Sequence, residues 1–302
     1  MTAAEVDRCI ADLCSAGFEI ELRPGLGYKL LRSPDRLIAD DLWARLTGGD
    51  PAHVATNFVR EIIVLEETGS TNDVATQLGR DGAAGGAVVL AERQTAGRGR
   101  LGRQWESASH RGLWMSLLLR PSLPFMQWPR LTTWAAVAVA QTIEQTTGCV
   151  ARIKWPNDIE VGGRKVCGLL AEVGNDLRDT PFAVLGLGLN VNQTEEGFSP
   201  TIASRATSLR IATNRQLDRA ALAAALLQEL AATESLLEAR FEEIIRLAAR
   251  RSTLLGQTIE ARAGESVIRG IAEGLDADGH LVLRLPGGEA KTLTAGEVTL
   301  QG

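Results

Sequence analysis

Residues 94–103 read Gln-Thr-Ala-Gly-Arg-Gly-Arg-Leu-Gly-Arg. Gly97, Gly99 and Gly102 satisfy the G-x-G-x-x-G dinucleotide pattern literally, so their reading decides between a Rossmann sheet and another fold. A Rossmann turn opens a helix and is followed about 20 residues on by an acid. Here Gly102 leads into residues 103–112, Arg-Gln-Trp-Glu-Ser-Ala-Ser-His-Arg-Gly, which lack helical periodicity, and the next element is a strand. Pro121, Ser122 and Leu123 stand where the acid belongs, and no Walker loop occurs elsewhere. Two readings remain. The stretch is a surface or RGG-like disordered loop, or it is an ordered lid whose Arg98, Arg100, Arg103 and backbone amides hold a phosphate or carboxylate. Flexible glycines suit closure over an anionic ligand.

Lys154-Trp155-Pro156-Asn157-Asp158 comes next, with a second basic pair at Arg164-Lys165 before Gly168. Asn157-Asp158 and Gly162-Gly163 are turn formers, and an ordinary hairpin explains either half alone. A lysine opening an apolar strand beside an arginine-rich loop also suits an anion site. Asp158 is a candidate magnesium ligand, since Mg²⁺ takes one or two carboxylates plus phosphate oxygens. In Thr68-Gly69-Ser70-Thr71-Asn72-Asp73, Ser70 or Thr71 reads as a helix cap that could also face a polar ligand. Gly186-Leu187-Gly188-Leu189-Asn190 places glycines inside a strand, a mark of close backbone approach.

The whole chain limits the setting. Its 302 residues allow two or three domains, and a net charge of −5 argues against a general nucleic-acid binder. No apolar run is long enough for a membrane span, and the first residues show no secretory signal. Cys9, Cys14, Cys149 and Cys167 form no C-x-x-C pair, and His53, His110 and His280 are too scattered for a histidine metal site or triad. The reading is a soluble protein of the cytoplasm.

Residues 4–17 predict a short helix, and 18–22 with 28–31 a hairpin, the last third of a winged helix-turn-helix without the two helices before it. Strands are predicted at 61–65, 86–92, 113–119, 150–154, 166–173 and 182–191, with a helix over 130–147. The Ala/Leu/Glu-rich 216–250 reads as covering helices. The Gly/Asp-punctuated 256–302 reads as a small β-barrel.

Together these motifs resemble those of the biotin protein ligases. The matching residues are Ser70-Thr71-Asn72, Gln94 with Gly97 to Trp105, Lys154 to Asp158, Lys165 with Gly168, Gly188-Leu189-Asn190 and, more weakly, Thr207-Ser208-Leu209. The resemblance implies an α+β fold: a class II synthetase-like mixed sheet with flanking helices, a C-terminal SH3-like barrel and a truncated winged-helix remnant. Its domains are 1–58 (remnant and linker), 59–252 (catalytic) and 253–302 (barrel). It also implies a two-step reaction, in which biotin and MgATP give biotinyl-5′-AMP and a lysine of a biotin carboxyl carrier domain, of acetyl-CoA or pyruvate carboxylase, then takes the biotin.

By resemblance, Ser70, Thr71, Asn72 and Gln94 hydrogen-bond the ureido head of biotin, while Arg98, Gly99 and Arg100 close over its carboxylate and the phosphates. Lys165 holds the carboxylate and the phosphate it attacks. Arg103, Trp105, Lys154, Asn157 and Asn190 bind the nucleotide, and Asp158 the metal. The family's adenine-stacking tryptophan is expected within 194–206, where Phe198 is the aromatic residue instead. A homodimer is compatible with the resemblance. A lipoate or octanoate ligase is the nearest rival enzyme. A biotin-responsive DNA-binding repressor is the rival of another class, and it requires the two helices and a basic face that this sequence does not show.

Overall fold

The computed structural model describes residues 2–48, 58–263 and 266–300. Two units are distinguished, residues 1–36 and 37–302. In the first, α1 (Ala3–Ser15) starts at a reciprocal cap: the Thr2 hydroxyl accepts from the Glu5 amide, and the Glu5 carboxylate accepts from the Thr2 amide. β1 (Glu19–Arg23) and β2 (Gly27–Arg32) then pair as the predicted hairpin. No residue of α1 is buried.

The second unit begins earlier than the 58/59 boundary read from sequence. Leu37 and Leu42, the latter on α2 (Ala39–Thr47), are buried in its main core, and Trp43 and Leu46 pack against that core. Residues 37–48 therefore belong with the body because their apolar side chains are spent there. The rest of the expected linker, 49–57, lies outside the described residues.

The body is a seven-stranded mixed sheet in the order β3-β4-β5-β9-β8-β7-β6. β3 (Glu61–Thr68) and β4 (Ala87–Gln94) are parallel, joined over one face by α3 (Thr71–Arg80). β5 (Gly112–Leu119), then, past α4 (Arg130–Thr147), β6 (Ala151–Lys154), β7 (Asp158–Val161), β8 (Arg164–Asn175) and β9 (Pro181–Asn190) add antiparallel neighbours. Sequence reading took 157–163 as turns alone and missed β7, which four residues between two turn signals hardly announce.

Side chains alternate across the sheet. Leu113, Met115 and Leu117 of β5 and Leu185, Leu187 and Leu189 of β9 enter one core, shared with α2, α4, α6 (Arg219–Thr233) and α8 (Phe241–Arg251). α5 (Leu209–Thr213) and α7 (Leu236–Ala239) complete the helices. On the opposite face α3 covers Ala87, Val89, Leu118, Phe182 and Val184, with Ile63 and Leu65 of β3 packed against them. Beyond them that face carries Ser116 and Gly186, met by the first turn of α3, and then Gly168, Glu172, Gly188 and Asn190, and the site lies there.

One register shift matters. Ile159 of β7 pairs with Cys167, but Glu160 pairs with Lys165, so Val166 is an extra residue in β8. Such a bulge re-aims the residues beyond it. Without it, Lys165 would share the core-facing parity of Cys167; with it, Lys165 joins Asp158 and Glu160 on the open face.

The tail consists of β10 (Thr258–Ala263), β11 (Ser266–Leu275), β12 (Leu281–Arg284), β13 (Ala290–Leu293) and β14 (Glu297–Leu300). They form an antiparallel sheet ordered β13-β12-β11-β10-β14, around its own core of Ile259, Ala261, Leu281 and Leu283. Trp155 belongs to that core and donates its indole N–H to Gly279 O at 3.0 Å, tying the 154–158 turn to the tail.

Candidate functional site

Ser70, Thr71, Asn72, Gln94, Arg98, Gly99, Arg100, Arg103, Trp105, Lys154, Asn157, Asp158, Lys165 and Asn190, every site residue read from the sequence, line one cavity of about 540 Å³. That volume suits a small organic ligand or cofactor. Gly296, Val298 and Thr299 of the tail complete one wall.

The stretch 97–105 is an ordered hairpin at the cavity mouth, which removes the disordered-loop reading. Trp105 N donates to Gly97 O at 2.9 Å and Gly99 N to Arg103 O at 2.7 Å. Its tip places Leu101 at φ 58° and Gly102 at φ 72°. Leu101 in the left-handed region costs about 1–2 kcal/mol, a strain that the rest of the hairpin must offset.

Trp105 folds back from this hairpin onto the sheet. A Cβ added to Gly188 would stand 2.5 Å from its ring, and one added to Gly168 2.8 Å. The two glycines are direct partners across β8 and β9, so together they make a flat bed for one indole. A Cβ on Gly186 would collide with the Asn72 amide. The strand glycines are therefore close-approach positions, as their sequence pattern predicts. Gly188→Ala is expected to lift Trp105 off this bed, at an overpacking cost of about 1–3 kcal/mol. A red-shifted tryptophan emission checks this, and an unshifted spectrum in the folded variant would contradict it.

At the inner end the polar groups are linked. Ser70 sits at the N-cap position of α3 but makes no side-chain cap; it is 3% exposed. Gln94 Oε1 takes the capping role instead, accepting from Thr71 N at 2.8 Å and Thr71 Oγ1 at 3.1 Å, while its Nε2 donates to Ser107 Oγ. Ser116 donates toward both Thr71 Oγ1 and Asn72 Oδ1, at 2.7 and 2.6 Å. Asn72 Nδ2 donates to Glu172 at 2.6 Å. Ser116 and Glu172 escaped the sequence reading, although a lone serine or acid inside an apolar strand (GLWMSLLL, LLAEV) was a usable signal.

At the outer end the charges are paired. Lys165 Nζ lies 2.6 Å from Asp158 Oδ1 and 5.2 Å from the centroid of a Trp105 ring. Lys154 lies 3.7 Å from Glu160. Burial raises the Glu160 pKa, as does the charge of Asp158, against the pull of both lysines. Burial likewise pushes the Cys167 thiol far up, so it is no nucleophile. Arg100 donates to Asn157 Oδ1 at 3.1 Å and Gly296 O at 3.4 Å, while Asn157 Nδ2 holds Leu169 O. Asn190 is held between Thr207 O and Gln193 Nε2.

The Arg98 guanidinium is held by two carboxylates. It bonds Asp73 at 2.7 Å and Glu172 at 3.1 Å. Partial burial disfavours its charge, but the two carboxylates outweigh this and raise its pKa. Among the described residues no group of three His, Cys, Asp or Glu could hold a metal ion. Asp158 thus offers one carboxylate, already facing Lys165.

The segment 194–206 closes the end of the cavity beside Lys165. It pairs with β8 on both sides of Lys165, through Lys165 N to Arg205 O and Thr207 N to Lys165 O, both at 2.8 Å. Ser199 bonds Glu106 at the foot of the hairpin, and Phe198, 8% exposed, lines the cavity. An aromatic face is therefore present where the resemblance expects a tryptophan.

The Biotin/lipoate A/B protein ligase family model matches residues 64–190, and the Biotin protein ligase C terminal domain model matches residues 254–300. The chain is 33% identical over 295 residues to the Bifunctional ligase/repressor BirA of Bacillus spizizenii, covering 95% of this chain and 86% of that one. It is 34% identical over 246 residues to the Biotin--[acetyl-CoA-carboxylase] ligase of Mycobacterium tuberculosis, covering 79% and 88%. Among solved structures, the biotin protein ligase from Aquifex aeolicus in complex with biotin and ATP superposes with a TM-score of 0.68 at 30% identity, over 80% of this chain and 99% of that one.

Proposed function

Because the chain belongs to the biotin protein ligase family, we infer that it is an ATP-dependent biotin–[carboxyl carrier] ligase. The observation that carries the reading is the single cavity in which a neutral hydrogen-bonding pocket adjoins a cluster of cations. A carboxylate and a triphosphate repel, so the task is to neutralise and align them. The biotin carboxylate oxygen attacks the α-phosphorus of MgATP, and the bond to pyrophosphate breaks. The carrier lysine amine then attacks the acyl carbon and AMP leaves with the bonding pair, a proton being lost from the amine. Magnesium arrives with the nucleotide, its charge already shared by phosphate oxygens.

In this reading Ser70, Thr71, Asn72 and Gln94 receive the ureido head, with Thr71, Asn72 and Gln94 pre-set by the Ser116, Ser107 and Glu172 bonds. Lys165 exchanges Asp158 for the substrate anions, leaving Asp158 free to turn to the metal. Arg100, Arg103 and the backbone at Gly99 cover the reacting groups. Lys154, Trp105, Phe198 and the braced Asn157 and Asn190 form the nucleotide walls.

The repressor reading fits less well. Helix α1, its candidate recognition helix, carries Glu5, Asp7 and Asp12 against Arg8, a charge that phosphates repel. No helix of the described residues is long and apolar enough to cross a membrane, and the four cysteines are free. Both accord with work in the cytoplasm, where ATP and carrier reside.

Incubating the chain with biotin, MgATP and a carboxyl carrier domain tests this directly. A biotinyl mass gain on the carrier lysine is expected. A gain from lipoate or octanoate alone would replace the reading with that of the related acyl ligases. A specific operator shift by the chain would restore the repressor reading.

A further inference from the structure

Glu172 has no part in the chemistry above, yet its carboxylate joins two parts of the site. It accepts from Asn72 Nδ2 at 2.6 Å on the pocket side and from Arg98 Nη2 at 3.1 Å on the lid side. Asp73 takes the other end of the same guanidinium at 2.7 Å. The carboxylates that line the cavity are engaged elsewhere: Asp158 with Lys165, Glu160 with Lys154, Glu106 with Ser199. Arg98, which lines the cavity, and Glu172 are about one-third exposed, 35% and 36%.

We propose that Glu172 is a positioning residue that clasps the lid, fastening Arg98 over the pocket while fixing the amide of Asn72. Two consequences follow from its geometry. With Nδ2 on Glu172 and Oδ1 accepting from Ser116, the Asn72 amide has one orientation and one N–H left for a ligand. When the hairpin lifts, Arg98 departs and the carboxylates of Asp73 and Glu172 stand uncompensated beside a pocket for an anionic substrate. Closure offsets one of these two negative charges, so retention of the anion and closure of the lid share that charge. An exposed ion pair alone is weak. Here one guanidinium bridges two carboxylates on separate elements, and one of these also holds a pocket residue.

The substrate half of this inference rests on the ligase reading; the lid half does not. Glu172→Ala, Glu172→Gln, Arg98→Ala and the Arg98→Ala/Glu172→Gln double variant, each in the full chain, separate them. Trypsin cutting after Arg100 or Arg103 reports lid opening without any substrate. Relative to the native chain, Glu172→Ala is expected to speed that cutting about tenfold, with an unchanged unfolding midpoint, and to shorten the bound adenylate's half-life by a similar factor. It is also expected to raise the KM for biotin more than it lowers kcat. Glu172→Gln keeps an acceptor for Asn72 and is expected to bring KM back toward native while the lid stays accessible. The double variant is expected to be no worse than Arg98→Ala, because both remove the same interaction. Native resistance to trypsin in a folded Glu172→Ala chain overturns the clasp. Faster cutting without biotinyl transfer by the native chain leaves the clasp standing and removes the ligase reading instead.

Discussion

Lys165→Ala is expected to slow pyrophosphate release from biotin and MgATP by about 10²–10³-fold, the range seen when one preorganised charge-stabilising group is lost. In the proposed reaction the ammonium, beside Asp158 and near the Trp105 ring, sits where two anions must meet. A unit charge at about 4 Å is worth about 1 kcal/mol in bulk water and about 4 kcal/mol at an effective dielectric near 20, so a shielded cavity makes this position matter. The substitution does more than delete that attraction. It leaves Asp158 without its 2.6 Å partner, adding a carboxylate to a space that has to accept a carboxylate and a phosphate.

Folding is expected to survive, because the Lys165 side chain is one-third exposed and the pairing of Lys165 with Arg205 and Thr207 is made by backbone atoms. Lys165→Arg retains the charge with a different reach and is expected to recover part of the rate. Unchanged pyrophosphate release by a folded Lys165→Ala chain would remove Lys165 from the reaction.

The way Lys165 reaches this position also shows where sequence stops informing. Its lysine-before-apolar-strand pattern marked it as an anion binder, and the glycines of β8 and β9 marked a close approach; both are local signals. The bulge at Val166 that turns Lys165 onto the open face is not local, since it depends on how β7 registers against β8. The partners of Arg98 were hidden for a related reason. Arginine in a glycine-rich loop reads as an anion binder, but Asp73 and Glu172 come from other elements and capture its guanidinium first. The element pattern of the body was legible because its strands are long apolar runs. Helix α2 was not, because its apolar residues acquire meaning only against the core they enter. In the tail, Gly/Asp turns between short strands predicted a small β-barrel, of which the structure describes the five antiparallel strands, while the closeness of β14 to the cavity appears only once Trp155 is seen pinned to Gly279.

Glu92 and Arg219 illustrate the same limit and carry the largest expected effect on stability. Both are charged residues in segments that read as apolar, and both are buried, with the Arg219 side chain 0% exposed and that of Glu92 2%. They meet in two bonds, Arg219 Nη1 to Glu92 Oε2 at 2.5 Å and Nη2 to Oε1 at 3.2 Å. Glu92 Oε1 also accepts from Leu37 N at 2.8 Å, and His110 Nδ1 lies 3.3 Å from Oε2. The pair thus ties the end of β4 to the start of α6, to the segment leading into α2, and to the loop after the lid. Arg219→Ala leaves a buried carboxylate without its cation and is expected to destabilise the chain by about 3–5 kcal/mol, a loss of that size being typical when one partner of a buried pair is removed. Arg219→Met with Glu92→Gln removes both charges and keeps an acceptor for the Leu37 amide, so it is expected to recover most of the loss. Urea unfolding of the two variants measures this as a shift in midpoint at constant slope. If Arg219→Ala falls by less than about 1 kcal/mol, or the double variant proves no better than the single, the penalty lies in lost packing rather than in the stranded charge.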